Sequence, residues 1–131
     1  MTGDAAVYLL KAQELLAVAE SEYAAGRHQN CANRAYDACY QAAVAAPIDA
    51  GIRPKGPRWG HDTVQAVFMG ELVNRRKLFP GELRDTFDRL VGFRETADDE
   101  VIFVSEVQAA RALRRARSFV RAVVARGEFK P

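Results

Sequence analysis

Charged residues that could carry out chemistry are most concentrated in the segment GFRETADDE, where Arg94 precedes a cluster of carboxylates. Arginine and carboxylate side chains are the types that proteins use to stabilise anions and to move protons. Asp98 stands four residues after Arg94, so on a helix the two could also form an ion pair. An exposed pair contributes about 0–1 kcal/mol, and an arginine at a helix C-terminus is favoured by the helix dipole alone. The segment therefore leaves a chemical role and a purely electrostatic role open.

A histidine and a group of polar residues lie on two other predicted helices. His61 stands at the start of a helix near the only tryptophan, where it either caps the helix or supplies an imidazole. In the segment NRAYDACYQAA, Asn33 and Tyr40 fall within about 60° of each other, and Tyr36 lies beside Tyr40. Arg34 is displaced towards the edge of the bundle. The tyrosines are either core rings with hydrogen-bonded hydroxyls or part of a site.

The last predicted helix carries a run of arginines and no acid between Val107 and Arg126. The run consists of Arg111, Arg114, Arg115, Arg117, Arg121 and Arg126. Such a run is a solvated face, or it pairs with acids elsewhere in the chain, or it meets RNA phosphate or an acidic partner. Arg114 and Arg121 are the candidate binding residues on this helix.

Common enzyme and metal-site patterns are absent from the sequence. There is no GxGxxG, GxxxxGK[ST], GxSxG or HExxH pattern and no EF-hand loop. Cys31 and Cys39 lie eight residues apart on one helix, so they cannot form a disulfide and are interpreted as small buried hydrophobic residues. With only two histidines, a zinc site is not expected. We therefore predict no cofactor and no metal.

The composition indicates one globular domain over residues 1–131. Hydrophobic residues make up 49% and charged residues 27%, and the net charge of +2 does not by itself indicate nucleic-acid binding. No apolar run is long enough for a membrane span. The N-terminal segment MTGDAAVYLL lacks the basic region and cleavage site of a signal peptide, which favours the cytoplasm.

The periodicity of apolar residues predicts an all-α fold, a single up-and-down bundle of about five helices. The predicted helices are Gly3–Ala25, His28–Ala50, Asp62–Arg76, Glu82–Thr96 and Ser105–Arg126. Pro47 is expected to kink the second helix or to end it near Ala46. Ser105 and Gln108 form a capping-box pattern. The residues expected to face inward on the second and last helices are Ala32, Ala35, Tyr36, Cys39, Ala43 and Ala46, and Ala109, Leu113, Ala116, Val120 and Val123.

In their order and spacing, these features resemble the HEPN domain family over nearly the whole chain. Residues 33–38, NRAYDA, are similar to the family's NRAYYA pattern, and His61 with Val64 is similar to its HxxV helix start. A Leu-Phe-Pro turn follows at 78–80, and the segment from Arg94 to Asp99 is similar to the family's R…ADY segment. The resemblance implies a small helical bundle and a homodimer.

The resemblance also implies a functional setting. Family members resemble cytoplasmic bacterial components of toxin–antitoxin or defence modules, often paired with a nucleotidyltransferase-like protein. Many are metal-independent ribonucleases in which an Arg and a His, spaced R-x4–6-H, meet across the dimer interface. Here positions 95–101 read ETADDEV and contain no His, which departs from that pattern.

Three hypotheses follow from these residues. The chain is a subunit that binds a partner protein, RNA or a nucleotide, with Asn33, Arg34, Tyr36 and Tyr40 joining Arg114 and Arg121 as binding residues. Alternatively, it is a metal-independent endoribonuclease in which Arg94 stabilises phosphate and His61 or Asp98 moves a proton. In the third hypothesis it is a structural interaction protein, and Arg94 only pairs with Asp98.

Overall fold

The computed structural model describes residues 1, 3–53, 60–79, 83 and 103–128, without the side chains of residues 61, 62, 65 and 128. These residues form four α-helices, and the third continues without a break as a π-helix. Their bounds are Gly3–Ala24 for α1, His28–Asp49 for α2, His61–Val67 for α3, Phe68–Arg75 for the π-helix and Glu106–Glu128 for α4. No helix in this part of the chain is long and apolar enough to cross a membrane.

The all-α prediction is confirmed, but the described residues form four α-helices where about five were expected. The predicted fourth helix, 82–96, lies outside the described residues except for Leu83, which is helical and buried. The predicted third helix corresponds to α3 together with the π-helix. The single domain over residues 1–131 stays a prediction.

A tight turn folds α1 back along α2. Gly26 adopts a φ of 78°, a left-handed conformation that glycine reaches without a steric penalty. The Gly26 amide donates to the Tyr23 carbonyl oxygen at 3.0 Å, and the Arg27 amide donates to the Glu22 carbonyl oxygen at 2.9 Å. This pair of bonds is a Schellman motif, which satisfies carbonyl groups that the end of α1 would otherwise leave unpaired. The two helices therefore form an antiparallel hairpin.

α2 is the central helix, because it packs against α1, α4, α3 and the π-helix, whereas α1 and α4 pack mainly against α2 and each other. Its buried residues are mostly alanines, and such small side chains let neighbouring helices approach closely. The inward faces predicted for α2 and α4 are confirmed: every residue expected to face inward on these two helices is buried. Cys31 and Cys39 are buried free thiols, as the sequence predicted.

Pro47 does not end α2 near Ala46. The helix continues through Pro47 to Asp49, and the Ala50 amide still donates to the Ala46 carbonyl oxygen at 3.1 Å. Proline removes one donor from the ladder, but Pro47 and Ile48 are both buried. Their burial against the core offsets the loss of that single hydrogen bond, so the helix ends one turn later than the proline alone would suggest.

Aromatic rings connect the π-helix to α4. The Phe68 ring centroid lies 5.0 Å from that of Phe119 and 5.1 Å from that of Phe79. Phe68 and Phe119 are completely buried, and Phe79 is nearly so. Contacts between tilted rings at these distances stabilise the fold by more than the burial of apolar area alone.

The predicted capping box at the start of α4 is confirmed. The Gln108 amide donates to Ser105 Oγ at 3.1 Å, and the Ser105 amide donates to Gln108 Oε1 at 2.9 Å. We expect Ser105→Ala to lower the free energy of unfolding by about 1 kcal/mol, because an amide in the first turn of α4 loses its acceptor. Denaturant unfolding would measure the change. Ser118→Ala, at an exposed position within α4, should change it by less than about 0.5 kcal/mol, and equal losses in the two variants would contradict the capping role.

Candidate functional site

The polar residues of α2 lie along the edge of the helix, where it leaves the core. Tyr36 is only 3% exposed and packs in the core, whereas Asn33 and Tyr40 are half-buried. Arg34 Nη2 lies 3.1 Å from Asp37 Oδ2, one turn further along α2. Arg34 therefore lies at the edge of the bundle, as its position in the sequence indicated, but its guanidinium already has a carboxylate partner.

The hydroxyl of Tyr40 is a neutral phenol at neutral pH, as that of an ordinary tyrosine is. Partial burial raises the pKa of Tyr40 above its ordinary value, and the nearby Tyr8 raises it further. A neutral phenol both donates and accepts hydrogen bonds, so Tyr40 can orient a neighbouring polar group at neutral pH. The assignment of Asn33, Arg34, Tyr36 and Tyr40 as binding residues stays a prediction.

The predicted catalytic residues are not brought together by any described contact. Arg94 and Asp98 lie outside the described residues. The backbone of His61 begins α3, as the sequence predicted, but its side chain is outside the described part of the structure as well. The grouping of these three residues stays a prediction.

α4 presents a row of exposed arginines to solvent. Arg111, Arg114 and Arg121 are exposed, and within the described part of the chain no carboxylate lies within ion-pair distance of them. At about 100° per residue, the three side chains fall within about 80° of one another on the helix. They extend over about 15 Å of helix axis. The three guanidinium groups therefore lie on one side of α4, opposite its buried residues.

An ion pair connects α4 to α1 beside this row. Pairing of this run with acids elsewhere in the chain was one of the alternatives that the sequence left open, but no pattern indicated the partner. Arg117 Nη2 lies 3.1 Å from Glu20 Oε1, and Arg117 Nε donates to the same oxygen at 3.2 Å. An open cleft of about 380 Å³ lies next to the pair, lined by residues of both helices that include Leu16, Val120 and Arg121. Arg121 therefore belongs both to the exposed row and to the wall of the cleft.

A second cluster that sequence reasoning missed surrounds the turn between α1 and α2. Arg27 Nε donates to Glu22 Oε2 at 2.6 Å, and Asn30 Nδ2 donates to the same oxygen at 3.3 Å. The hydrogen bond from Arg27 lowers the pKa of the Glu22 carboxyl below its ordinary value. Arg27 follows Glu22 by five positions, whereas neighbours on a helix face are three or four positions apart, so only the geometry of the turn brings the two side chains together.

The chain was also compared with known proteins. A family model described as "HEPN domain" matches residues 5–127, which leaves only a few residues unmatched at either end. The matched region contains both the polar edge of α2 and the arginine row of α4. No curated protein is similar enough to this chain to be identified as a relative.

Proposed function

The chain belongs to the HEPN domain family, and on that premise we propose that it is a subunit that binds RNA on the arginine row of α4 without cutting it. The observation that carries the proposal is the exposure of Arg111, Arg114 and Arg121 on one side of α4, with no carboxylate partner among the described residues. Guanidinium groups form bidentate hydrogen bonds with phosphate oxygens and keep their charge at every physiological pH.

The spacing of the row suits a nucleic-acid backbone better than a single anion. About 15 Å of helix axis corresponds to about four nucleotides of one strand. The net charge of the whole chain is only +2, so binding of RNA would depend on a local group of basic residues such as this row and not on the overall charge. The carboxylate of Glu20, on α1, forms an ion pair with Arg117 and not with an arginine of the row.

Binding of end-labelled single-stranded RNA in the presence of a chelator would test the proposal. The triple variant R111Q/R114Q/R121Q should bind RNA at least about tenfold more weakly at low salt, because each lost phosphate contact no longer releases a counterion. The slope of log K against log salt should become shallower by about 2, from about 0.7 for each of the three phosphates.

The control is the triple variant R53Q/R75Q/K77Q, which removes the same charge from exposed positions outside α4. It should bind RNA with nearly the affinity and salt slope of the unmodified protein. Equal weakening by both triple variants would indicate only a dependence on net charge and would overturn the assignment to α4. No binding by the unmodified protein would overturn the proposal itself and favour the purely structural role.

The alternative function, a metal-independent endoribonuclease, is tested in the same assay. It assigns Arg94 to the phosphate and His61 or Asp98 to the proton transfer, and it is weakened by the lack of a His in residues 95–101. We expect the bound RNA to remain full-length. Cleavage that is lost in Arg94→Ala would replace the binding proposal with the enzymatic one.

Family membership also leads us to propose a protein partner. A nucleotidyltransferase-like partner, a place in a toxin–antitoxin or defence module, and a homodimer are all expected from the family resemblance alone. Co-expression with a neighbouring nucleotidyltransferase-like protein, followed by purification through one of the two, would test the first of these. Separate elution of the two proteins would reject it.

A further inference from the structure

The open cleft between α1 and α4 has an apolar lining contributed by both helices. Its volume is about 380 Å³, and its apolar residues are Leu16, Ala17, Val120, Val124 and Ala125. Val120 is buried, whereas Leu16 and Val124 are half-buried and so still reachable from the cleft. Sites for small organic molecules have volumes of about 300–1,000 Å³. The cleft therefore has room for one planar ring system and the group attached to it.

Two polar side chains of α1 line the same cleft and keep hydrogen-bonding capacity. Both hydrogen bonds from Arg117 go to Oε1 of Glu20, so Oε2 accepts none from the residues that the structure describes. Gln13 likewise makes no hydrogen bond within the described ranges, and its amide can donate as well as accept. The ion pair with Arg117 offsets the charge of Glu20, so this carboxylate does not exclude a phosphate nearby.

Arg121 connects the cleft to the arginine row, because it lines the cleft and is also one of the three exposed arginines of the row. A phosphate bound by Arg121 would leave the base of the same nucleotide beside the mouth of the cleft. In single-stranded RNA, an unpaired base can turn away from its neighbours and bind between side chains that form hydrogen bonds with its edge. The row and the cleft therefore favour one occupant, a nucleotide whose base is unpaired.

The position of Glu20 indicates which bases the cleft would prefer. Gln13 and Glu20 are seven positions apart, or about 10 Å along α1, so a base lying between them would meet one at each of two opposite edges. Cytosine and adenine carry an exocyclic amino group, which donates to a carboxylate oxygen. Uracil has a carbonyl oxygen where cytosine has the amino group, so Glu20 would there face a second acceptor.

We propose that the cleft between α1 and α4 binds one unpaired base of the RNA strand whose phosphates lie on the arginine row. Glu20 accepts a hydrogen bond from the amino group of that base and so selects cytosine or adenine over uracil. The inference rests on the RNA-binding function proposed above and adds to it the site and the type of base. All the residues involved belong to one copy of the chain, so the base site does not depend on a homodimer.

A variant that fills the cleft tests the base site. Ala17→Leu adds an apolar side chain to the cleft and leaves every charge in place, and leucine is nearly as good a helix former as alanine. It should weaken the binding of oligocytidylate by at least about fivefold in fluorescence anisotropy, because the base loses its contacts with the lining. An oligomer of the same length without bases should bind the unmodified protein more weakly than oligocytidylate does, and Ala17→Leu should not weaken it further. The control is Ala24→Leu, the same substitution at an exposed position of α1 outside the cleft, which should leave both affinities unchanged.

A comparison of two pyrimidines tests the role of Glu20. Cytosine and uracil have nearly the same shape, and the unmodified protein should bind oligocytidylate at least about fivefold more tightly than oligouridylate of equal length. Glu20→Gln should bring this ratio close to one, since an amide can present either a donor or an acceptor to the base. Loss of the negative charge would raise both affinities alike and leave the ratio unaffected. The control is Glu14→Gln, which removes the same charge from an exposed position of α1 outside the cleft and should keep the preference.

The outcomes distinguish failure of the base site from failure of RNA binding. No binding of any oligomer by the unmodified protein would overturn the RNA-binding function and the base site with it. Binding that R111Q/R114Q/R121Q weakens and Ala17→Leu does not would overturn the base site alone, and would leave the cleft to an apolar side chain of a protein partner. Equal affinity of the unmodified protein for oligocytidylate and the oligomer without bases would also overturn the base site. A preference for cytosine that is absent, or that Glu20→Gln retains, would overturn the role of Glu20.

Discussion

Replacing Phe119 with alanine should lower the free energy of unfolding by about 3–5 kcal/mol. The ring is completely buried and packs 5.0 Å from the ring of Phe68, so its removal loses both apolar burial and an aromatic contact. The surrounding residues come from α4 and from the π-helix, and two packed helices cannot collapse fully into the cavity. A domain of this size has a total stability of about 5–15 kcal/mol, so the loss is a large fraction of the whole.

The chain supplies a matched control for this substitution. Phe103 is 92% exposed, so Phe103→Ala removes the same side chain from water-accessible surface and should cost less than about 0.5 kcal/mol. Urea titration followed by circular dichroism would measure both variants. Similar midpoints for the two variants would show that the Phe68–Phe119 contact does not support the core.

The parts of the fold that the sequence predicts are those with local signals. The capping box can be predicted from two residues three positions apart, Ser105 and Gln108. The buried faces of α2 and α4 can be predicted from helical periodicity alone. The end of α2 is harder to predict, because Pro47 is tolerated only where burial of that turn compensates for the missing donor. The switch from α to π geometry at Phe68 has no signal in the pattern, since both helices bury residues at nearly the same spacing.

In the candidate site, too, the features that the sequence predicts are those that depend on neighbouring residues of one helix. Exposure of Arg114 and Arg121 follows from their position opposite the apolar face of α4, which the sequence reveals. The pairing of Arg117 with Glu20 joins residues 97 apart in the chain, and only the packing of α4 on α1 creates it. The sequence therefore predicts a basic face but cannot tell which arginines are engaged by acids and which remain available for phosphate.

The two cysteine thiols should react with a thiol reagent at least about a thousandfold more slowly in the folded protein than in the unfolded chain. Cys31 and Cys39 are free and completely buried, so a reagent reaches them only when the structure opens. Burial raises the pKa of the Cys39 thiol, and that of Cys31 as well, which lowers the fraction of reactive thiolate further. An opening free energy of at least about 4 kcal/mol gives the expected protection, since about 1.4 kcal/mol corresponds to a factor of ten.

Labelling of the Cys31→Ala and Cys39→Ala variants, with and without denaturant, would assign a rate to each thiol. If the limiting step is opening of the core, Phe119→Ala should accelerate both rates by about a hundredfold or more, whereas Phe103→Ala should leave them unchanged. A native rate for Cys39 within about tenfold of the unfolded rate would contradict its burial in α2. The Cys31 thiol lies at the end of α2 that packs on α4, 3.9 Å from the carbonyl oxygen of Ala109. Acceleration of Cys31 alone would therefore show that the Phe68–Phe119 contact stabilises only that end of α2.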